Sequence, residues 1–108
     1  MSSSYGTIGG GFDNTASGFA ATIGGGTDHT ASFSYVTIGG GEGNTASELW
    51  ATVGGGQRNV ASAQLSTVGG GLGNEASGNY ATVGGGGGLE ADDEHNVASG
   101  VRSTIGGG

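Results

Sequence analysis

The chain has 108 residues, of which 29 are glycine, with no proline and no cysteine; nine acids against two arginines leave a net charge of −7. So acidic a surface cannot neutralise phosphates, which excludes nucleic acid and anionic membrane surfaces as expected partners. Without cysteine there is no disulfide, thiolate nucleophile or zinc–thiolate site, and without proline or a three-residue glycine period there is no collagen helix.

The start, Met1-Ser2-Ser3-Ser4, lacks the basic and apolar regions of a signal peptide, and no apolar run reaches membrane-spanning length. From Thr7 onward one phrase returns seven times: Thr, then Ile or Val, then three glycines. Its threonines are Thr7, Thr22, Thr37, Thr52, Thr67, Thr82 and Thr104, with five intervals of 15 residues followed by one of 22. A repeat this short cannot bury its own apolar face, so successive repeats have to stack on one another. The strict phase separates the chain from a disordered Gly/Ser linker, since a linker gives no reason for Ile or Val after every repeated Thr.

Each repeat reads as two short strands. The first is centred on the Thr-Ile/Val pair, and alternation turns Ile8, Ile23, Ile38, Val53, Val68, Val83 and Ile105 inward. The small residue before each Thr points the same way, and Thr itself points outward. The residue two before Thr is assigned to that outer face as well: Tyr5, Ala20, Tyr35, Trp50, Leu65, Tyr80 and Arg102. The second strand follows an asparagine column (Asn14, Asn44, Asn59, Asn74 and Asn96, with His29 in the second repeat). It turns Ala16, Ala31, Ala46, Ala61, Ala76 and Ala98 inward. The glycine triplets exclude helix and mark tight corners. Asn tolerates left-handed backbone, so its column is expected at a corner, where stacked amides can form a ladder. The fold expected is all-β: a parallel β-solenoid, or narrow β-roll, of about seven 15-residue coils in one domain over residues 1–108.

The only break in period is an acidic insertion at 87–95, which holds four of the nine acids. Its spacing does not match a Ca²⁺ loop, so it is expected to bulge as a solvated loop without shifting the register of the coils beside it. No Ser-His-Asp arrangement stands out from the repeat, and no Lys follows the glycine runs as a phosphate loop requires. The chain is therefore expected to be no enzyme and to need no cofactor or metal.

The stretch from Asn14 to Gly26, Asn-Thr-Ala-Ser-Gly-Phe-Ala-Ala-Thr-Ile-Gly-Gly-Gly, resembles the YadA-like head repeats of trimeric autotransporter adhesins. The resemblance implies a left-handed parallel β-roll, three chains about one axis, a surface ligand such as a glycan, and an extracellular or cell-surface location.

Three functional readings follow. The first is a self-associating structural fibre. Aligning Thr7 with Thr22 puts Met1 and Ser2 on the positions of Ala16 and Ser17, so the N-terminal segment reads as a second strand lacking its first. Ser103, Thr104 and Ile105 read as a first strand lacking its second. Head-to-tail stacking of copies would use Met1, Ser2, Tyr5, Ser103, Thr104 and Ile105, and Tyr35, Trp50, Leu65 and Tyr80 would pack copies side by side. The second reading is a head fragment of a trimeric adhesin or viral fibre. The third is an ice-binding solenoid built on the threonine column, against which stands the uneven rank of Tyr, Ala, Trp, Leu and Arg expected beside it.

Overall fold

The computed structural model describes residues 5–87 and 95–108. Met1 and Ser2 of the expected head-to-tail contact, and residues 88–94 of the acidic insertion, lie outside them.

The chain is an all-β parallel solenoid. Seven two-residue strands, Thr7–Ile8, Thr22–Ile23, Thr37–Ile38, Thr52–Val53, Thr67–Val68, Thr82–Val83 and Thr104–Ile105, form one parallel sheet in chain order. Six more, Thr15–Ala16, Thr30–Ala31, Thr45–Ala46, Val60–Ala61, Glu75–Ala76 and Val97–Ala98, form a second. In the first sheet each Thr lies against the Thr one coil away, and the pairs Thr82↔Thr104 and Glu75↔Val97 hold the same register across the 22-residue interval. The insertion thus leaves the coils on either side in phase, as expected. Five turns are regular 15-residue coils, a sixth contains the insertion, and the seventh is only begun, so the count of complete coils is smaller than the seven repeats suggested.

A third side, which the repeat pattern did not reveal, closes each coil. Phe12, Thr27, Glu42, Gln57, Leu72 and Gly87 pair as a column of parallel bridges. These residues share no side-chain chemistry. Only their backbones recur in space, as in Phe12 N–H to Gly26 O at 2.9 Å and Leu72 N–H to Gly86 O at 2.9 Å.

The interior follows the expected alternation. Ile23, Ile38, Val53, Val68 and Val83 are fully buried opposite Ala16, Ala31, Ala46, Ala61 and Ala76. Ile8 and Ile105, in the first and last strands, are only partly buried because a coil covers them on one side alone. Ala21, Val36, Ala51 and Ala81 complete the filling. Ser66 takes the same position, and its hydroxyl donates to Ala63 O at 2.6 Å, so this buried hydroxyl is satisfied. The molecule measures 35 × 27 × 16 Å, so its core is about one layer of small side chains thick. Such a core buries little apolar area per residue and gives modest stability by itself.

Candidate functional site

The column Tyr5, Ala20, Tyr35, Trp50, Leu65, Tyr80 and Arg102 is not part of the strands, which corrects the face assigned to it from alternation. All seven have positive φ, between 55° and 64°. From Ala20 onward each sits at the third position of a tight turn closed by bonds such as Ala51 N–H to Glu48 O at 3.0 Å and Ala81 N–H to Gly78 O at 3.0 Å. That position usually takes Gly or Asn, and a side chain there costs about 1–2 kcal/mol. A bond between coils holds the strained backbone: Tyr35 N–H donates to Phe19 O at 2.8 Å, Trp50 N–H to Ser34 O at 3.1 Å and Tyr80 N–H to Gln64 O at 2.9 Å.

Because the turn recurs once per coil, its side chains rank along one edge of the solenoid. Trp50 is 48% exposed, Tyr80 49% and Tyr35 46%, with Leu65 at 37%. Ring centroids of Tyr5 and Phe19 lie 5.4 Å apart, edge to face; Phe19 and Tyr35 lie 5.7 Å apart, also edge to face; Tyr35 and Trp50 stack at 5.7 Å. Phe19 is a member the sequence reading missed. It supplies the ring in the one coil where the column residue is Ala20, and the adjacent Phe19-Ala20 pair was the available signal. At the other end the Arg102 guanidinium lies over the Tyr80 ring, 5.6 Å from its centroid. The result is a continuous, half-exposed apolar edge. Its rings are partly occupied by one another, which suits packing against protein better than a coplanar platform for sugars.

Moving the column off the strands changes the outer face of the seven-stranded sheet. Beside each Thr on that face stands the first glycine of the triplet: Gly9, Gly24, Gly39, Gly54, Gly69 and Gly84 are all exposed and carry no side chain. The rank expected to make this face uneven lies at the corner instead.

The asparagine column is also corrected. Left-handed backbone falls on the residue before it, at Asp13, Asp28, Gly43, Arg58 and Gly73, with φ between 56° and 68°. The asparagines themselves turn inward, and Asn44, Asn59 and Asn74 are fully buried. Their amides bind backbone. Asn59 Nδ2 donates to Gly55 O in its own coil and to Gly71 O in the next, both at 2.9 Å. Its Oδ1 accepts the Asn74 N–H at 2.8 Å. Asn14, Asn44, Asn59 and Asn74 each thus pin a glycine corner and accept a bond from the following coil, and the amide-to-amide contact, Asn96 Nδ2 to Asn74 Oδ1, is 3.1 Å.

His29 breaks this pattern. Its Nδ1 accepts the Asn44 N–H at 3.1 Å, which copies the asparagine oxygen. The other ring nitrogen, Nε2, is buried without a hydrogen-bond partner, whereas every asparagine amide in the column is bonded. His29→Asn should therefore raise stability by about 1–3 kcal/mol, the usual cost of an unsatisfied buried donor. Thermal unfolding followed by circular dichroism would check this, and a lower melting temperature would contradict it.

Of the expected head-to-tail residues, Tyr5 lies at the aromatic edge. Ser103 and Ile105 bond the preceding coil through Thr82 N–H to Ser103 O at 2.9 Å and Gly84 N–H to Ile105 O at 2.7 Å. Among the described residues no group of three or more His, Cys, Asp or Glu is placed to hold a metal ion, and no helix is long and apolar enough to cross a membrane. Comparison with family models, curated proteins and solved structures finds no match to the chain.

Proposed function

We propose that the chain is a structural, self-associating β-solenoid module of an extracellular fibre. In this reading copies stack along the axis and pack side by side through the aromatic edge. The observation that carries it is the unbroken run of exposed rings from Tyr5 through Phe19 and Tyr35 to Trp50, continued by Leu65 and Tyr80. A contiguous apolar strip on a molecule only 16 Å thick has no interior to enter, and covering it with another chain adds the burial the core lacks. Axial stacking needs no new chemistry, because each coil already repeats the backbone register of its neighbour.

Kinship with adhesin head repeats is the finer form of this proposal. The parallel stack of coils agrees with a β-roll, and a trimer with a surface ligand is what that kinship would add. No catalytic role is proposed.

Trp50 reports the test directly, since it is the only tryptophan. As concentration rises its fluorescence should shift to the blue and become less accessible to acrylamide. Tyr35→Ser with Tyr80→Ser should abolish that change while leaving the β-sheet circular dichroism intact. Unchanged quenching from micromolar to millimolar protein would overturn lateral association.

One further observation favours a second reading. The outer threonine rank is flanked by side-chain-free glycines, so this face is flatter than its sequence implied, and a flat, regularly spaced hydroxyl array is what an ice-binding surface requires. Spacing along the stack is about 4.8 Å. Thermal hysteresis that disappears in Thr52→Lys would support this reading, and its absence in the unaltered chain would dismiss it.

A further inference from the structure

The corner column is self-complementary when it is reversed on itself. It reads Tyr5, Ala20, Tyr35, Trp50, Leu65, Tyr80, Arg102, with Trp50 in the middle. A twofold axis through Trp50, perpendicular to the stack, sets Tyr35 against Leu65 of a second copy. The same axis sets Ala20 against Tyr80, and Tyr5 against Arg102. At the first of these pairs an aromatic ring meets a smaller aliphatic group, and at the second Tyr80 meets the small Ala20 with the Phe19 ring beside it. At the third a guanidinium meets a phenol ring, the same type of contact that Arg102 makes with Tyr80 within the chain at 5.6 Å. Parallel alignment does the opposite. Tyr80 then meets Tyr80, Trp50 meets Trp50, and Arg102 is forced onto Arg102, a like-charge contact that selects against that register.

Charge points to the same occupant. The turns that build this corner contain one of the chain's nine acids, Glu48, and one of its two arginines. In a molecule of net charge −7 this strip lets two copies approach with little repulsion. Under the twofold axis the two Glu48 residues fall on opposite sides of the axis. Rings and arginine with few acids are also the composition of interface cores.

We propose that two copies pair antiparallel along this edge, with Trp50 on the twofold axis. This rests on the lateral association put forward above and specifies its geometry. Six coil spacings of about 4.8 Å make the strip roughly 29 Å long. One or two side chains wide, it covers less than the ~800 Å² per partner of a standard interface, so the pair forms and dissociates with concentration.

The chain has no cysteine, so single introduced thiols report the arrangement without background. Trp50→Cys should form a disulfide-linked homodimer under mild oxidation. An equimolar mixture of Tyr35→Cys and Leu65→Cys chains should give the mixed disulfide in several-fold excess over either homodimer, read by non-reducing gels and mass spectrometry. Ala20→Cys mixed with Tyr80→Cys provides a second pair should one variant of the first fail to fold by circular dichroism. Homodimers dominating both mixtures would overturn the antiparallel pairing while leaving lateral association standing. No disulfide in Trp50→Cys or in either mixture would overturn lateral association itself and this pairing with it.

Discussion

Gly41→Ala should disrupt the stack, whereas Gly40→Ala, one residue away, should leave it essentially unchanged. Gly41 has φ +96°, and a Cβ built on it would run into the carbonyl oxygen and amide nitrogen of Gly56 in the next coil. The obstacle is backbone on backbone, so no side chain can move aside. Left-handed strain contributes about 1–2 kcal/mol, and the collision adds to it by forcing two coils apart along a hydrogen-bonded ladder. A total loss above about 3 kcal/mol is expected, which is large against the stability of a small domain. Because each coil is supported only by its neighbours, the break should spread along the array. At Gly40, by contrast, a Cβ meets nothing within 4 Å. Urea unfolding of the two variants would check the pair. Equal midpoints would show that the coils are not packed at the glycine corner as described.

Val53→Asp should have an effect at least as large. Val53 is fully buried, in register between Ile38 and Val68, and the interior beside it consists of alanine and β-branched side chains. A carboxylate there has no donor to bind, and the thin core leaves no room for water to follow it. Burying an unpaired polar group costs several kcal/mol, more when it is charged. Loss of cooperative unfolding at neutral pH is expected, with more structure recovered in acid, where the carboxyl takes up a proton. A variant that melts like the parent chain would mean that the Ile/Val column does not face inward.

The sequence carried the architecture in its period. Fifteen-residue spacing, Ile or Val after every Thr and Ala in every second strand were enough to infer stacked parallel coils and their interior. The third side of each coil was hidden because Phe12, Thr27, Glu42, Gln57 and Leu72 have nothing in common except backbone position. The aromatic column was legible as a stripe but was placed on a strand, because bulky residues such as Trp50 and Tyr80 are not expected at positive φ. That error also concealed the smooth Thr and Gly face. For the asparagines a corner was foreseen, but the chemistry lay elsewhere: left-handed backbone belongs to Asp13, Asp28 and Arg58 just before them, while the amides turn inward to bind glycine carbonyls. A repeat shows which residues stack on which. The turn between strands, which decides where they point, depends on φ values that residue types such as Tyr and Trp do not advertise.

Electron microscopy of the purified chain, across a range of concentrations, gives the sharpest test of self-association. Slender rods about as narrow as a single solenoid are expected, lengthening by stacking and lying side by side along one edge. Particles that stay single and separate at every concentration, none longer than the 35 Å of one molecule, would contradict it.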